Sequence, residues 1–221
     1  MKKTKIFIAC DTTNLVKVKK IINQSKTNKI KIGYKFGLEF MNSKNGRTFL
    51  AKLRKKIIFV DLKLNDTVNT MLSAVKALKD IKINYFTVHI SSGLAALKAV
   101  KKISGSTRIV GVTTLTSLNN NDLKLIGYNK SVKNLVAHQA KLAKKANLDA
   151  LVCSPYEVSA VRKIFKKEII TPGVQIGKKN YDQKRSMEAK KVNSDWLVIG
   201  RAITARGNIK KNIQNLIEKL R

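Results

Sequence analysis

The sequence predicts a closed (β/α)8 barrel, and three observations carry that prediction. Short apolar, β-branched runs recur along the chain. Amphipathic stretches of helical period separate them, and polar or glycine residues gather where the runs end. Strict alternation of strand and helix requires a parallel sheet, because parallel neighbours need crossover connections. Eight such units favour a closed TIM-type barrel over an open doubly wound sheet, and no G-x-G-x-x-G follows the first strand. A length of 221 residues suits one barrel, and no Gly/Ser-rich linker divides it, so residues 1–221 read as a single domain.

In chain order the predicted strands are residues 5–10, 29–32, 57–62, 85–90, 108–113, 150–153, 168–171 and 196–199. Between them, residues 68–79 place Met71, Leu72, Val75 and Leu78 on one helical face. Residues 132–146 do the same with Leu135, Val136, His138, Leu142 and Ala143, and a last helix at 209–220 carries Ile213, Leu216, Ile217 and Leu220.

Composition excludes several classes of protein. Hydrophobic content of 43% is that of a globular chain. No stretch approaches the roughly 18 apolar residues of a membrane span, and the N-terminal apolar run meets Asp11 too early for a signal peptide, so a cytoplasmic protein is expected. Cys10 and Cys153 lie in apolar segments without CxxC spacing, and His89 and His138 are far apart, which predicts reduced core thiols and no metal site. The charge is extreme: 46 Lys+Arg against 13 Asp+Glu gives +33. The lysines fall between apolar positions on nearly every helical segment, with no arginine-rich tail and no zinc-finger or RNP pattern. This is a solvated coat that attracts anions without a specific nucleic-acid site.

In a barrel, function collects at the C-terminal ends of the strands. Those ends read "IACD" with Asp11, "KIKIG" with Lys31, "VDLKLNDTVNT" with Asp61, Lys63 and Asp66, then "TVHISSG", "GVTTLTS", "VCSPYE", "ITPGVQIG" and "LVIGRAIT". Asp61 and Lys63 are two apart on a strand and share a face. At the barrel mouth they would be partly desolvated and need partners, with Lys31 from the adjacent strand able to join the alternation. Asp66 has an ordinary alternative as a helix cap. Gly200 with Arg201 opens a helix after the last strand, where barrels often bind phosphate. The polar segment "TPGVQIGKKNYDQKR" before it has the character of a lid.

These motifs resemble the orotidine 5′-phosphate decarboxylase family. "DLKLNDTVNT" is similar to its D-x-K-x-x-D signature, and "ACD", "KIG", "VHISSG", "GVTTLTS", "LVCSPYE", "TPGV", "DQKR" and "VIGRAIT" follow in family order over almost the whole chain. The resemblance implies decarboxylation of orotidine 5′-phosphate to uridine 5′-phosphate, the last step of de novo UMP synthesis, without metal or organic cofactor. It implies a charged tetrad of Lys31, Asp61, Lys63 and Asp66, with Asp66 and Thr70 supplied across a homodimer interface. Asp11 is then expected at the ribose hydroxyls, Thr116 at the pyrimidine, and Gln183, Gly200 and Arg201 at the phosphate. Bacterial members usually carry arginine where this chain has Gln175, which leaves Gln175 as a candidate ligand with one guanidinium missing. Two other readings are a magnesium-dependent sugar-phosphate lyase sharing D-x-K-x-x-D, disfavoured by lysine where an acidic ligand is usual, and a basic nucleic-acid-binding protein.

Overall fold

A computed structural model describes residues 4–175, 187–188, 192–205 and 207–220, apart from the side chains of Gln175 and Met187. The strands are β1 (Lys5–Ala9), β2 (Ile32–Gly37), β3 (Ile58–Leu64), β4 (Tyr85–His89), β5 (Arg108–Val112), β6 (Ala150–Val152), β7 (Glu168–Thr171), β8 (Val174–Gln175), β9 (Met187–Glu188) and β10 (Trp196–Ile199). Eight of them close a barrel in the order β1-β10-β7-β6-β5-β4-β3-β2, while β8 and β9 pair separately. Every neighbouring pair in the barrel is parallel.

The helices are α1 (Leu15–Gln24), α2 (Leu38–Met41), α3 (Gly46–Lys52), α4 (Val68–Ala77), α5 (Leu94–Ile103), α6 (Asn120–Leu125), α7 (Val132–Lys145), α8 (Val158–Ile164), α9 (Arg201–Thr204) and α10 (Ile209–Leu220). Side-chain caps mark the starts of α1, α6 and α7: Asn14 accepts from Lys17 N–H ahead of α1, Ser131 accepts from Asn134 N–H ahead of α7, and Asn119 with Asp122 forms a capping box at α6. On α7 the buried face runs through Val132, Leu135, Val136, Gln139, Ala140 and Ala143. His138, expected on that face, is exposed instead. Gln139 takes the inward position four residues after Leu135 and accepts from Thr114 N–H at 2.8 Å, tying the helix to the end of β5. Among the described residues no helix is long and apolar enough to cross a membrane.

Two apolar cores result. The larger lies between strands and helices. The smaller fills the barrel itself with Phe7, Phe59, Tyr85, Val110, Ala150, Ile170 and Trp196. Phe7 stacks on Trp196 with ring centroids 4.0 Å apart and meets Tyr85 edge-on at 5.2 Å. Below this layer, at the N-terminal end, Glu168 pairs with Lys5 at 2.6 Å and accepts from the Tyr85 hydroxyl at 2.7 Å and the Trp196 indole at 3.3 Å. Burial opposes ionisation of Glu168, but the hydrogen bonds from Lys5 and Tyr85 hold its pKa below the usual carboxylate value. The barrel is therefore solid below its mouth.

The largest displacement from the sequence reading is β2. The expected strand at residues 29–32 stops where the observed strand begins, and β2 runs on through Gly33 to Gly37. Gly33 is a space-maker inside the strand: a Cβ there would lie 2.5 Å from Phe7 Cε1. Phe7 is fully buried against Trp196 and has little room to yield. Gly33→Ala is therefore expected to cost about 1–3 kcal/mol of stability through overpacking. Denaturant unfolding checks this, and a companion Phe7→Leu change should recover part of the loss; an unaltered midpoint in Gly33→Ala would show that the ring moves freely.

Candidate active site at the barrel mouth

Side chains from four consecutive strands converge above the aromatic layer. Asp11 follows β1, Lys35 lies on β2, Asp61 and Lys63 on β3, and Thr87 and His89 on β4. Lys35 Nζ stands 3.0 Å from Asp11 Oδ1 and 3.5 Å from Asp61 Oδ2. Lys63 Nζ stands 3.0 Å from the same Asp61 oxygen. Thr87 Oγ1 donates to Asp61 Oδ1 at 3.1 Å. One carboxylate thus sits between two ammonium groups and a hydroxyl, with side-chain exposure of only 13% for Asp61 and 12% for Lys35.

That burial sets the electrostatics. Desolvation works against the Asp61 carboxylate, yet Lys35 and Lys63 outweigh it and hold its pKa below the ordinary value. Desolvation likewise works against the Lys35 ammonium, and Asp61 and Asp11 reverse it and hold its pKa above the ordinary value. His89, half-buried beside Lys63, has its pKa lowered by burial and by that ammonium, which favours the neutral imidazole. Cys10, adjacent in sequence to Asp11, is pushed up to about 12 by burial and by the Asp11 charge, so it stays a thiol.

Lys63 reaches Asp61 through an irregular backbone. It has φ of 51°, in the left-handed region that side chains rarely occupy. The β3–β4 register shifts between Val60 and Leu64 around it. Such a conformation costs about 1–3 kcal/mol and persists only where neighbours over-determine it. Here Lys63 N–H donates to Thr87 Oγ1 at 2.8 Å while Lys63 Nζ is held by Asp61.

A cavity of about 340 Å³ opens beside this network. Its lining combines the charged Asp11, Lys35, Asp61 and Lys63 with apolar Val112, Val152, Pro172 and Val198, and with Thr116, Gly200 and Arg201. The lining therefore offers charged groups, apolar surface, and a guanidinium beside a glycine.

Most expected site residues come together here, with one clear correction. Lys31 is exposed and precedes β2, and its carbonyl accepts from Ile6 N–H at 2.9 Å, at the opposite end of the barrel from the mouth. Lys35, four residues on and on the same strand face, holds the position expected of Lys31. The glycine at 33 reads as a strand end, whereas the strand continues through it. Extending the two-residue alternation past Gly33 would have found Lys35. Asp66 and Thr70 are exposed and do not line the chain's own cavity. Asp66 Oδ1 accepts from Thr67 N–H at 2.6 Å, and the Thr70 hydroxyl is 3.0 Å from that of Thr67. Gln183, the Gln175 side chain and residues 176–185 of the segment with lid character lie outside the described residues.

Fold and site together define a (β/α)8-barrel enzyme whose charged centre sits at the C-terminal mouth. The sequence profile described as "Orotidine 5′-phosphate decarboxylase / HUMPS family" matches residues 4–216. The chain belongs to that family. It is 38% identical to the orotidine 5′-phosphate decarboxylase of Wolbachia sp. subsp. Brugia malayi, over 97% of each chain. With the orotidine 5′-phosphate decarboxylase of Carboxydothermus hydrogenoformans it shares 32% identity, covering 98% of this chain and 95% of the other. The crystal structure of orotidine 5′-phosphate decarboxylase from Lactobacillus acidophilus superposes with a TM-score of 0.84 at 26% identity, covering 99% of both chains. That of the Methanocaldococcus jannaschii orotidine 5′-monophosphate decarboxylase, complexed with inhibitor BMP, gives a TM-score of 0.80; at 21% identity this likeness concerns the fold alone.

The Asp61 network has a definite pH signature. Because its folded pKa is lowered, Asp61 contributes stability that is present above the unfolded carboxylate value of about 3.9 and is lost as pH falls through the folded value. Lys35, with a raised folded pKa, contributes stability that is present below about 10.4 and is lost as pH rises through its folded value. Asp61→Asn should therefore be less stable than the parent at neutral pH, and the gap should close in acid as the parent carboxyl protonates. Thermal unfolding of both proteins from pH 7 down to pH 2 checks this; a gap that does not vary with pH would assign the loss to packing instead.

Proposed function

We propose that this chain decarboxylates orotidine 5′-phosphate, releasing CO2 and uridine 5′-phosphate in pyrimidine nucleotide synthesis. Family membership and close relatives of that activity make it a carboxy-lyase. The observation that carries the residue-level reading is the Lys35–Asp61–Lys63 network at the wall of the cavity.

The substrate would lie with its phosphate toward Gly200 and Arg201, its ribose hydroxyls at Asp11, and its pyrimidine between Thr116 and the apolar wall. Its carboxylate then faces Asp61. Breaking the bond from C6 to the carboxylate releases CO2 and leaves the electron pair on C6. Lys63 Nζ stabilises that charge and delivers its proton to C6, after which solvent restores the ammonium. Lys35 holds Asp61 and Asp11 in register without joining the proton transfer. The phosphate does not react, but its binding fixes the orientation of the ring.

Metal is not needed for this scheme. A divalent ion ligated by Asp61 and Asp11 would have to displace the Lys35 ammonium that already bridges them, which argues against a magnesium-dependent sugar-phosphate reading. We further place Asp66 and Thr70 in the partner's site of a homodimer, because the exposed run from Asn65 to Thr70 leaves both side chains outward. The whole chain acts as one barrel domain in the cytoplasm, without a specific nucleic-acid partner.

The wild-type protein is expected to consume orotidine 5′-phosphate in excess EDTA, followed by ultraviolet absorbance. Lys63→Ala should lose at least about 10³-fold in kcat, since one group supplies both charge stabilisation and the proton. Lys35→Ala should also be severely impaired, whereas Lys31→Ala should retain parental rates. Inactive wild-type protein, or a magnesium requirement, would overturn the assignment. Mixing Asp61→Asn and Asp66→Asn proteins should restore part of the activity by building hybrid sites; a mixture no better than its components would sink the shared-site reading.

A further inference from the structure

The geometry points to Thr87 as a positioning residue: its single hydroxyl locks the left-handed Lys63 backbone and aims the Asp61 carboxylate, so that ammonium and carboxylate face the cavity in fixed register. This rests on the decarboxylase reading above and adds a residue that touches no substrate.

Thr87 is fully buried, so water does not compete for its hydroxyl. A threonine hydroxyl has one proton to give and lone pairs to accept with. Here the proton goes to Asp61 Oδ1 at 3.1 Å, and the oxygen accepts Lys63 N–H at 2.8 Å. One atom therefore joins the two residues of the β3 end that the chemistry uses. The Lys63–Asp61 ion pair alone fixes only the side-chain tips; the strained φ of 51° at Lys63 needs a backbone anchor. The β3–β4 ladder shifts register at this point, and the Thr87 hydroxyl receives the Lys63 N–H there. Of its strand neighbours on the same face, Tyr85 belongs to the aromatic layer and His89 feels the charges of Lys63 and Asp61, so Thr87 sits between the two regions.

Three substitutions test this. Thr87→Val keeps the shape and removes the hydroxyl; Thr87→Ser and Thr87→Ala differ from each other only by that hydroxyl. Thr87→Val is expected to lower kcat about 10- to 100-fold with KM within about twofold, the scale of one lost hydrogen bond to a charged group. Thr87→Ser should recover most of that loss and Thr87→Ala should not. The acid limb of the kcat profile should move to higher pH in Thr87→Val, because Asp61 loses a donor that favours its charged form. The other titratable groups facing Asp61 (Asp11, Lys35, Lys63 and His89) are common to all variants. Crystal structures of parent and Thr87→Val should show Lys63 leaving the positive-φ region.

A Thr87→Val protein with parental kcat and acid limb overturns the inference, as does an unmoved Lys63 backbone. Should Thr87→Val not fold, the Ser and Ala pair decides: equal rates in the two overturn it. Inactivity of the parent would instead strike the decarboxylase reading, and the Lys63 backbone comparison would still judge the role of Thr87.

Discussion

A single carboxylate, Asp61, organises the mouth of this barrel. It is largely removed from solvent, and burial of an unpaired carboxylate is prohibitively costly, so the chain surrounds it with Lys35, Lys63 and the Thr87 hydroxyl. The partners come from β2, β3 and β4: Lys35 stands in register with Phe59, two residues before Asp61, and the β3–β4 register shifts between Val60 and Leu64. Removing any partner leaves a charge whose desolvation is no longer compensated. The network is therefore a weak source of net stability but a strong constraint on geometry.

The layer beneath makes that constraint rigid. Phe7, Phe59, Tyr85 and Trp196 fill the barrel with interlocked rings, and Gly33 exists on β2 because Phe7 occupies the space a side chain would need. Tyr85 and Trp196 use their polar edges on Glu168 at the closed end, so neither ring carries an unmet donor into the core. Both ends of the barrel thus hold a carboxylate among cations. At the closed end the donors converge on Glu168, and at the mouth Lys35 and Lys63 line the cavity with Asp11 and Asp61. A substrate entering there replaces water around groups already oriented, which is how a preorganised site acts on developing charge.

The excess of lysine outside the site has a simpler place in this scheme. Lysines on α1, α5, α7 and α10 occupy solvent-facing positions between buried apolar ones, as on α1, where Val18, Ile21 and Ile22 turn inward while Lys17, Lys19 and Lys20 are exposed. They raise the potential that draws an anionic ligand toward the molecule. In the proposed function, the selective contacts are those at the mouth.

Period and punctuation in the sequence were enough to read eight parallel strands, the closed barrel, and the gathering of charged groups at the strand ends. Those features depend on local patterns: alternating runs, helical faces and caps. Asp61, Lys63, Asp11, Gly200 and Arg201 were legible for the same reason, since each lies at or just past a strand end; Thr116 entered through the family resemblance, and all six line one cavity. Lys35 was not legible because Gly33 mimics a strand end, and only the packing of Phe7 from the neighbouring strand explains a glycine inside β2. His138 was misplaced by one position for a similar reason: α7 is oriented by Gln139 reaching Thr114 on another element. The left-handed Lys63 and its bond to Thr87 join residues 24 positions apart. The sequence determined that charged groups gather at the mouth; the tertiary structure decided that Lys35 is one of them and which of them touch, because register between strands is set by contacts that no local pattern encodes.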